Sequence, residues 1–533
     1  MRLPPPVVVK YNGLQIPVDK EAKFLGVILD SKLNGNAHNE YVASKCERTL
    51  NIIRCLSGVW WGSHPFNLKL LYNALIRSVL DYGTFLLEPC NVAGFKQLDK
   101  IQAKAMRIIC GAMASSPINA LQVECGEPPL YLRRQYLADK FFIRCLQFSN
   151  HPLIPKLKKL LDLVNKDNFW LHKSRPCLVN SYVRYSFLDA PTFRLPVYPL
   201  FQSSFDSLIL NPDIRYDIGI KKSDKYYAKP FFNYLTTNNW EGWHHIYTDA
   251  SKMSIVNNKC VGVGIYHLQY NIVQKVKFPP QTSVFTGECY GLFKAVDYIL
   301  LAKLNKTVIF TDSLSALQAL NRFTFKSKCF PIIIQIRNLL QKCIVANLSV
   351  TFVWIPSHCG ILGNEKADAL AKDAAFSGDV FPYMNYCHDL PSLAKDLLQQ
   401  DWSKDWARTS LKKGVQYRLI QPEIQFRPWF FKIKLSKSTT SSLIRMRLGH
   451  VLTPAHLKKI RIRNNDACDC GLEVGDLNHI ILSCPLYDHS CLYDSLSSMS
   501  IPFPTSVPTL LNLCNKLVYS SLSQYLRSNS INL

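Results

Sequence analysis

Val353-Trp-Ile-Pro-Ser-His-Cys-Gly-Ile-Leu-Gly-Asn-Glu-Lys-Ala-Asp368 is the stretch whose reading decides the fold. It begins at the end of a short apolar run, Leu348–Trp354, that reads as a buried strand. A loop carrying His358 follows, and a helix is predicted from near Gly363, with Asp368 beside Ala367, Leu370 and Ala371. Upstream, strands are predicted at Ile246–Thr248, Cys260–Tyr266, Ile272–Phe278 and Val308–Thr311, and helices from near Val284, Leu314 and Pro331. Alternation of this kind implies an α/β domain, a mixed five-stranded sheet with flanking helices.

Between Ile246 and Phe376 there are 14 Lys/Arg and only seven Asp/Glu, so acids in unusual settings invite explanation. Asp249 and Asp312 each follow an apolar strand, where ligand sites of such sheets form. Glu288 lies one turn after Phe285, on the border of a helix face that includes Leu292, Val296 and Ile299. Taken singly, each acid has a plain structural reading. An Asp after a strand caps a turn or helix, a Glu near a helix start serves the dipole, and Asp368 is a solvated helix residue. Taken together in one strand–helix order, they point to a shared cation, because a buried carboxylate without a partner is costly. Hard oxygen ligands suit Mg²⁺ or Mn²⁺.

Tyr247-Thr-Asp-Ala-Ser251, Thr286-Gly-Glu-Cys289, Phe310-Thr-Asp-Ser313 and the run from Val353 to Asp368 resemble the successive motifs of the RNase H family. The resemblance implies an endoribonuclease that hydrolyses the RNA strand of RNA–DNA hybrids. It implies Asp249, Glu288, Asp312 and Asp368 as ligands of two Mg²⁺ ions bridged by Asp249, with His358 helping to move protons or release product. Ser313 and Asn364 are candidate contacts to the substrate, whose 2′-hydroxyl must be read. Two positions depart from the family's usual wording: Ala250 stands where glycine is common, and Gly287 where alanine is common. The competing expectation is a non-catalytic nucleic-acid-binding protein that keeps this fold as a docking surface.

The rest of the chain is read around this domain, taken as residues 240–376. The 533 residues carry a formal net charge of +25, which favours a polyanionic partner, nucleic acid before an anionic membrane surface. Eighteen cysteines are scattered rather than patterned, Met1-Arg-Leu-Pro-Pro-Pro lacks a signal-peptide core, and no apolar run spans a bilayer. An intracellular, reduced protein is therefore expected, nucleus or cytoplasm not distinguished, with no membrane partner.

Residues 1–40 read as extended segments, with Phe24–Asp30 as a strand, and 41–150 as a helical bundle exposing Lys45, Arg48, Arg54, Lys69, Arg77, Lys100, Lys104 and Arg107. These parts resemble the palm end with its primer grip, and the thumb, of reverse transcriptases from non-LTR (LINE-type) retrotransposons. No Asp-Asp pair precedes Phe24, so no DNA synthesis is expected from this chain. A separate reverse transcriptase or retrotransposon ribonucleoprotein is the implied partner. Residues 151–239 read as a connection with little regular structure, 377–460 as a helical basic region and 491–533 as a tail.

Arg427–Arg463 holds ten Lys/Arg and no acid. Phe426, Trp429, Phe430 and Phe431 at its start are candidates for stacking on unpaired bases, or else core residues. Thr439–Ser442 is a candidate cap for the helix carrying Arg445 and Arg447. Within 461–490, Cys468-x-Cys470-x8-His479-x4-Cys484 supplies four ligands suited to Zn²⁺. It resembles the Cys/His element that ends many such retrotransposon polyproteins.

Overall fold

A computed structural model describes residues 9–16, 19–31, 33–58, 61–87, 92–146, 151–170, 173–185, 203–220, 225–255, 258–325, 330–380 and 389–531. The Met1–Pro6 stretch and part of the expected connection lie outside them. The chain divides into two compact units. One comprises Met1–Ala138, Leu161–Ser181 and Asp396–Leu533, and the other Asp139–Leu160 and Tyr182–Lys395.

The second unit holds the sheet. Its strands are β1 (Asp213–Arg215), β2 (His244–Ile255), β3 (Asn258–His267), β4 (Ile272–Phe278), β5 (Thr307–Thr311), β6 (Val350–Trp354) and β7 (Asp379–Val380). Their order across the sheet is β7-β4-β3-β2-β5-β6-β1. The β2–β3 and β3–β4 pairs are antiparallel, and the remaining pairs are parallel. The sheet thus has seven strands rather than five. Both additions are short edge strands, too brief for side-chain alternation to reveal.

The helices are α1 (Lys225–Trp240), α2 (Val284–Ala302), α3 (Leu314–Asn321), α4 (Pro331–Val345) and α5 (Leu362–Ser377). Both faces of the central strands are covered, so successive residues enter opposite cores. Ile246, Ile309 and Phe352 join one cluster with Leu292 and Val296 of α2 and Ile336 and Leu340 of α4. Tyr247, Phe310 and Val353 join the other with Phe232 and Trp240 of α1 and Ala367 of α5. Helix α5 sits directly on β3 because Gly262 and Gly264 have no side chains. A Cβ at Gly262 would come within 2.1 Å of the Ala371 carbonyl oxygen, and one at Gly264 within 2.4 Å of that of Ala367.

The expected connection contains regular structure: α1, β1 and the helices Leu153–Lys166, Cys177–Tyr185 and Phe205–Ile209. Among its described prolines, Pro152, Pro155, Pro176 and Pro212 fall between or at the starts of these short elements and Pro230 inside α1, which masked the periodicity.

In the first unit, N- and C-terminal helices share one core, in which Tyr72, Ile101 and Leu121 join Trp402, Tyr417, Ile444 and Tyr519. Phe24–Asp30 is a hairpin rather than one strand, Glu21–Phe24 against Val27–Asp30, turning at Leu25-Gly26 with positive φ at both residues. Lys69 is buried against Glu127, which also accepts from Arg77 at 2.7 Å, so these cations serve the bundle rather than its exposed face. Trp429 and Phe430 are buried in the core, Phe426 packs on Trp402 and Phe431 on Phe66. The aromatic cluster is therefore core and not a stacking platform. Helix Lys437–Leu448 is capped by Ser436 rather than by Thr439–Ser442. No disulfide joins the described cysteines, and no helix among the described residues is long and apolar enough to cross a membrane.

Candidate metal centres

The parallel pairing of β2 with β5 ends at Thr248 opposite Thr311. Asp249 and Asp312 are the next residues on each strand, so the register places the two acids side by side. Asp249 does not end its strand, as the sequence suggested. β2 continues to Ile255 through its antiparallel pairing with β3. Asp312 is followed by Ser313, whose hydroxyl accepts from Ala316 N–H at 3.3 Å and caps α3. Trp354 Nε1 donates to the Asp312 carbonyl at 3.1 Å and pins this corner.

Glu288 enters from the start of α2. The Ala250 N–H donates to Asp249 Oδ1 at 2.7 Å and to Glu288 Oε1 at 3.3 Å. Asp249 and Glu288 are each 7% exposed, and Glu288 Oε2 is buried with no hydrogen-bond partner. One ligand oxygen from each of Asp249, Glu288 and Asp312 lies within 4.8 Å of the others. Burial, then the charges of Asp312 and Asp368, push Asp249 up to about 7. Burial, then Asp249 and Asp312, push Glu288 well above the usual carboxylate range. Burial also raises Asp312, opposed by a hydrogen bond from Asn364 and by His358. Three crowded, desolvated carboxylates with an orphan oxygen suit a hard divalent cation.

Asp368 lies beside this trio without joining it. Its Oδ2 accepts from Lys372 at 2.6 Å and lies 3.9 Å from His358 Nδ1. The side chain of His358 is exposed, and its backbone has a positive φ of 55°. Asn364, expected at the substrate, is 3% exposed and turned onto Asp312. Ser313 is 8% exposed and occupied as a cap. Lys372, one helical turn after Asp368, went unremarked in the sequence although an i,i+4 acid–base pair is a legible signal.

The two departures from family wording meet in space. A Cβ at Gly287 would stand 2.9 Å from the Ala250 Cβ and 2.9 Å from Val261 Cγ1. The strand carries a methyl at Ala250 and the helix none at Gly287, where the Val261 side chain also closes the space.

The second cluster lies in the first unit. Cys468 and Cys470 flank a tight turn in which Gly471 N–H donates to the Cys468 carbonyl at 2.9 Å and Cys468 N–H to that of Glu473 at 2.8 Å. His479 belongs to helix Leu477–Leu482, capped by Asp476, and Cys484 follows its end. All four ligand atoms lie within 4.8 Å of one another. Cys468 and Cys484 sulfurs are 3.6 Å apart, and Cys470 Sγ is 3.2 Å from His479 Nε2. A tetrahedral ion with Zn–S bonds of about 2.3 Å needs sulfurs roughly 3.7 Å apart. His479 Nδ1 lies 2.9 Å from Glu473 Oε2 and 3.2 Å from Ser483 Oγ, the partners that orient a metal-binding imidazole. The donor set fits zinc.

A mixed sheet with the antiparallel β2–β3–β4 meander, parallel β5 and β6, and acids at the β2–β5 seam defines a ribonuclease H-like domain. Residues 243–376 match the RNase H family model, so the chain contains an RNase H domain. No curated protein matches the chain.

Proposed function

We propose that this protein hydrolyses the RNA strand of RNA–DNA hybrids by a two-metal mechanism. The observation that carries the reading is the meeting of Asp249, Glu288 and Asp312, drawn from a strand, a helix and a loop, with one Glu288 oxygen left without a partner. Asp249, Glu288, Asp312 and Asp368 would hold Mg²⁺ or Mn²⁺, which when bound supply an activated water and stabilisation of the leaving oxygen. Asp368 would have to give up Lys372 to join them. Asn364 orients the Asp312 carboxylate. His358, exposed beside Asp368, is placed to exchange protons with solvent. Ser313 contacts substrate only through the small part of its surface left open by capping.

We also read the chain as retrotransposon-derived, with residues 1–40 palm-end-like, residues 41–150 thumb-like, and Cys468, Cys470, His479 and Cys484 holding a structural zinc. The basic charge of +25 supports a nucleic-acid partner. The Lys372–Asp368 pair favours the second reading, a docking surface without catalysis, since it leaves only three acids gathered.

Cleavage of labelled hybrid, double-stranded RNA and DNA in Mg²⁺ separates the two. Wild-type protein is expected to cut the hybrid's RNA strand, while Asp249→Asn loses at least about a hundredfold in rate and still binds hybrid. Binding of hybrid without cutting by the wild type supports the docking surface instead.

A further inference from the structure

The start of α2 is braced from beyond the span that matches the RNase H family. Thr286 is fully buried, and its hydroxyl donates to Asp389 Oδ1 at 3.0 Å. The same hydroxyl lies 3.0 Å from Ser283 Oγ, which caps the helix through Thr286 N–H. Asp389 is 7% exposed and Leu390 1%, so this turn is seated and not a loose linker. Ser392 donates to the Asp389 carbonyl through its hydroxyl at 2.7 Å and its N–H at 3.1 Å, tying the turn to the helix that begins at Pro391. A carboxylate is favoured at the positive end of a 19-residue helix, and burying it anywhere without such support is costly.

The Glu288 carboxylate accepts the long 3.3 Å bond from Ala250 N–H and shares a side-chain hydrogen bond with Asp249, and its Oε2 finds no other partner. Both contacts reach it from β2, and the backbone that carries it is the first turns of α2. The residue before it is Gly287, which leaves that turn with more conformational freedom than any other residue would.

We propose that Asp389 is a positioning residue for the nuclease site: by holding Thr286 it fixes the first turn of α2, and with it the Glu288 carboxylate facing Asp249. The proposal rests on reading Asp249, Glu288 and Asp312 as a divalent-cation site. It makes the turn at Asp389, beyond the matched span, part of the site's support without contact to substrate.

Mn²⁺ is titrated calorimetrically into the full chain and into Asp389→Ala, Asp389→Asn, Thr286→Val and Asp249→Asn variants, with a thermal melt of each. Asp389→Ala and Thr286→Val are expected to bind Mn²⁺ about tenfold more weakly. Asp389→Asn keeps the accepting oxygen and stays near wild-type affinity, a rescue that a merely space-filling role would not give. Thr286→Val removes only the donating hydroxyl and decides the matter if Asp389→Ala does not fold. Wild-type affinity in folded Asp389→Ala or Thr286→Val overturns the positioning role. Unchanged binding in Asp249→Asn overturns the cation site itself, whereas loss there with no change at Asp389 and Thr286 overturns this proposal alone.

Discussion

At the scale of single residues, the contact between Ala250 and Gly287 shows how an apparent departure from a motif is compensated. The two Cβ positions are 2.9 Å apart, too close for both to be occupied without movement. Gly287→Ala alone is therefore expected to destabilise the nuclease unit by about 1–3 kcal/mol, the usual cost of overpacking, and to lower cleavage by displacing Glu288. Ala250→Gly combined with Gly287→Ala removes one of the two close contacts, leaving Val261 Cγ1 to give way, and is expected to recover part of both losses, aided by the better helix propensity of alanine. Urea unfolding of the two single variants and the double variant gives the coupling energy, and additive effects would contradict the shared-methyl reading. The sequence shows two isolated oddities here, 37 residues apart in the chain. That they touch is a fact of the β2–α2 packing, which no local pattern encodes. Asp249 and Asp312 drew attention for the opposite reason, as acids after apolar runs, although the strand of Asp249 continues, and Glu288 as an acid on the border of an apolar helix face. Asn364 was legible only as a motif letter, and its burial against Asp312 depends on how α5 lies.

Elements set the precision of both centres. Helix α5 approaches β3 through Gly262 and Gly264, and this close seating carries Asn364 onto Asp312 and Asp368 beside the trio. The five central strands were readable because they are apolar and at least five residues long once extended to their true ends. The edge strands β1 and β7, of three and two residues, exist only through pairing with β6 and β4. The short helix Leu477–Leu482 plays the corresponding part for the Cys/His cluster by aiming His479 at the cysteine turn. The protein is expected to purify with one zinc per chain by elemental analysis. Cys484→Ser should lose it and become sensitive to proteolysis around the turn, because structural zinc contributes folding energy directly. Wild-type protein free of zinc after metal-replete expression, with an unchanged melt, would remove this assignment.

On the scale of the whole molecule, the unit that joins the two ends of the chain is organised around buried charge. Glu124 accepts from Tyr417 Oη at 2.6 Å, Trp429 Nε1 at 2.6 Å and Arg447 Nε at 3.2 Å. Arg447 is fully buried and also donates to the Leu511 carbonyl at 2.9 Å, Tyr519 Oη at 3.1 Å and Gln421 Oε1 at 3.1 Å. Removing one partner strands the other, so Glu124→Gln is expected to cost this unit about 3–5 kcal/mol in urea unfolding, and a change below about 1 kcal/mol would show the pair to be dispensable. A basic run such as Arg427–Arg463 therefore divides between core and surface in a way that charge counting does not show. The chemistry, however, is claimed for the other unit, and one observation bears on it most directly: anomalous diffraction from crystals soaked in Mn²⁺. Mn²⁺ peaks are expected to touch Asp249, with Glu288, Asp312 and an Asp368 released from Lys372 as their other protein ligands. Crystals in which no manganese lies among these carboxylates, at a concentration that supports cleavage of hybrid by related domains, would contradict this expectation.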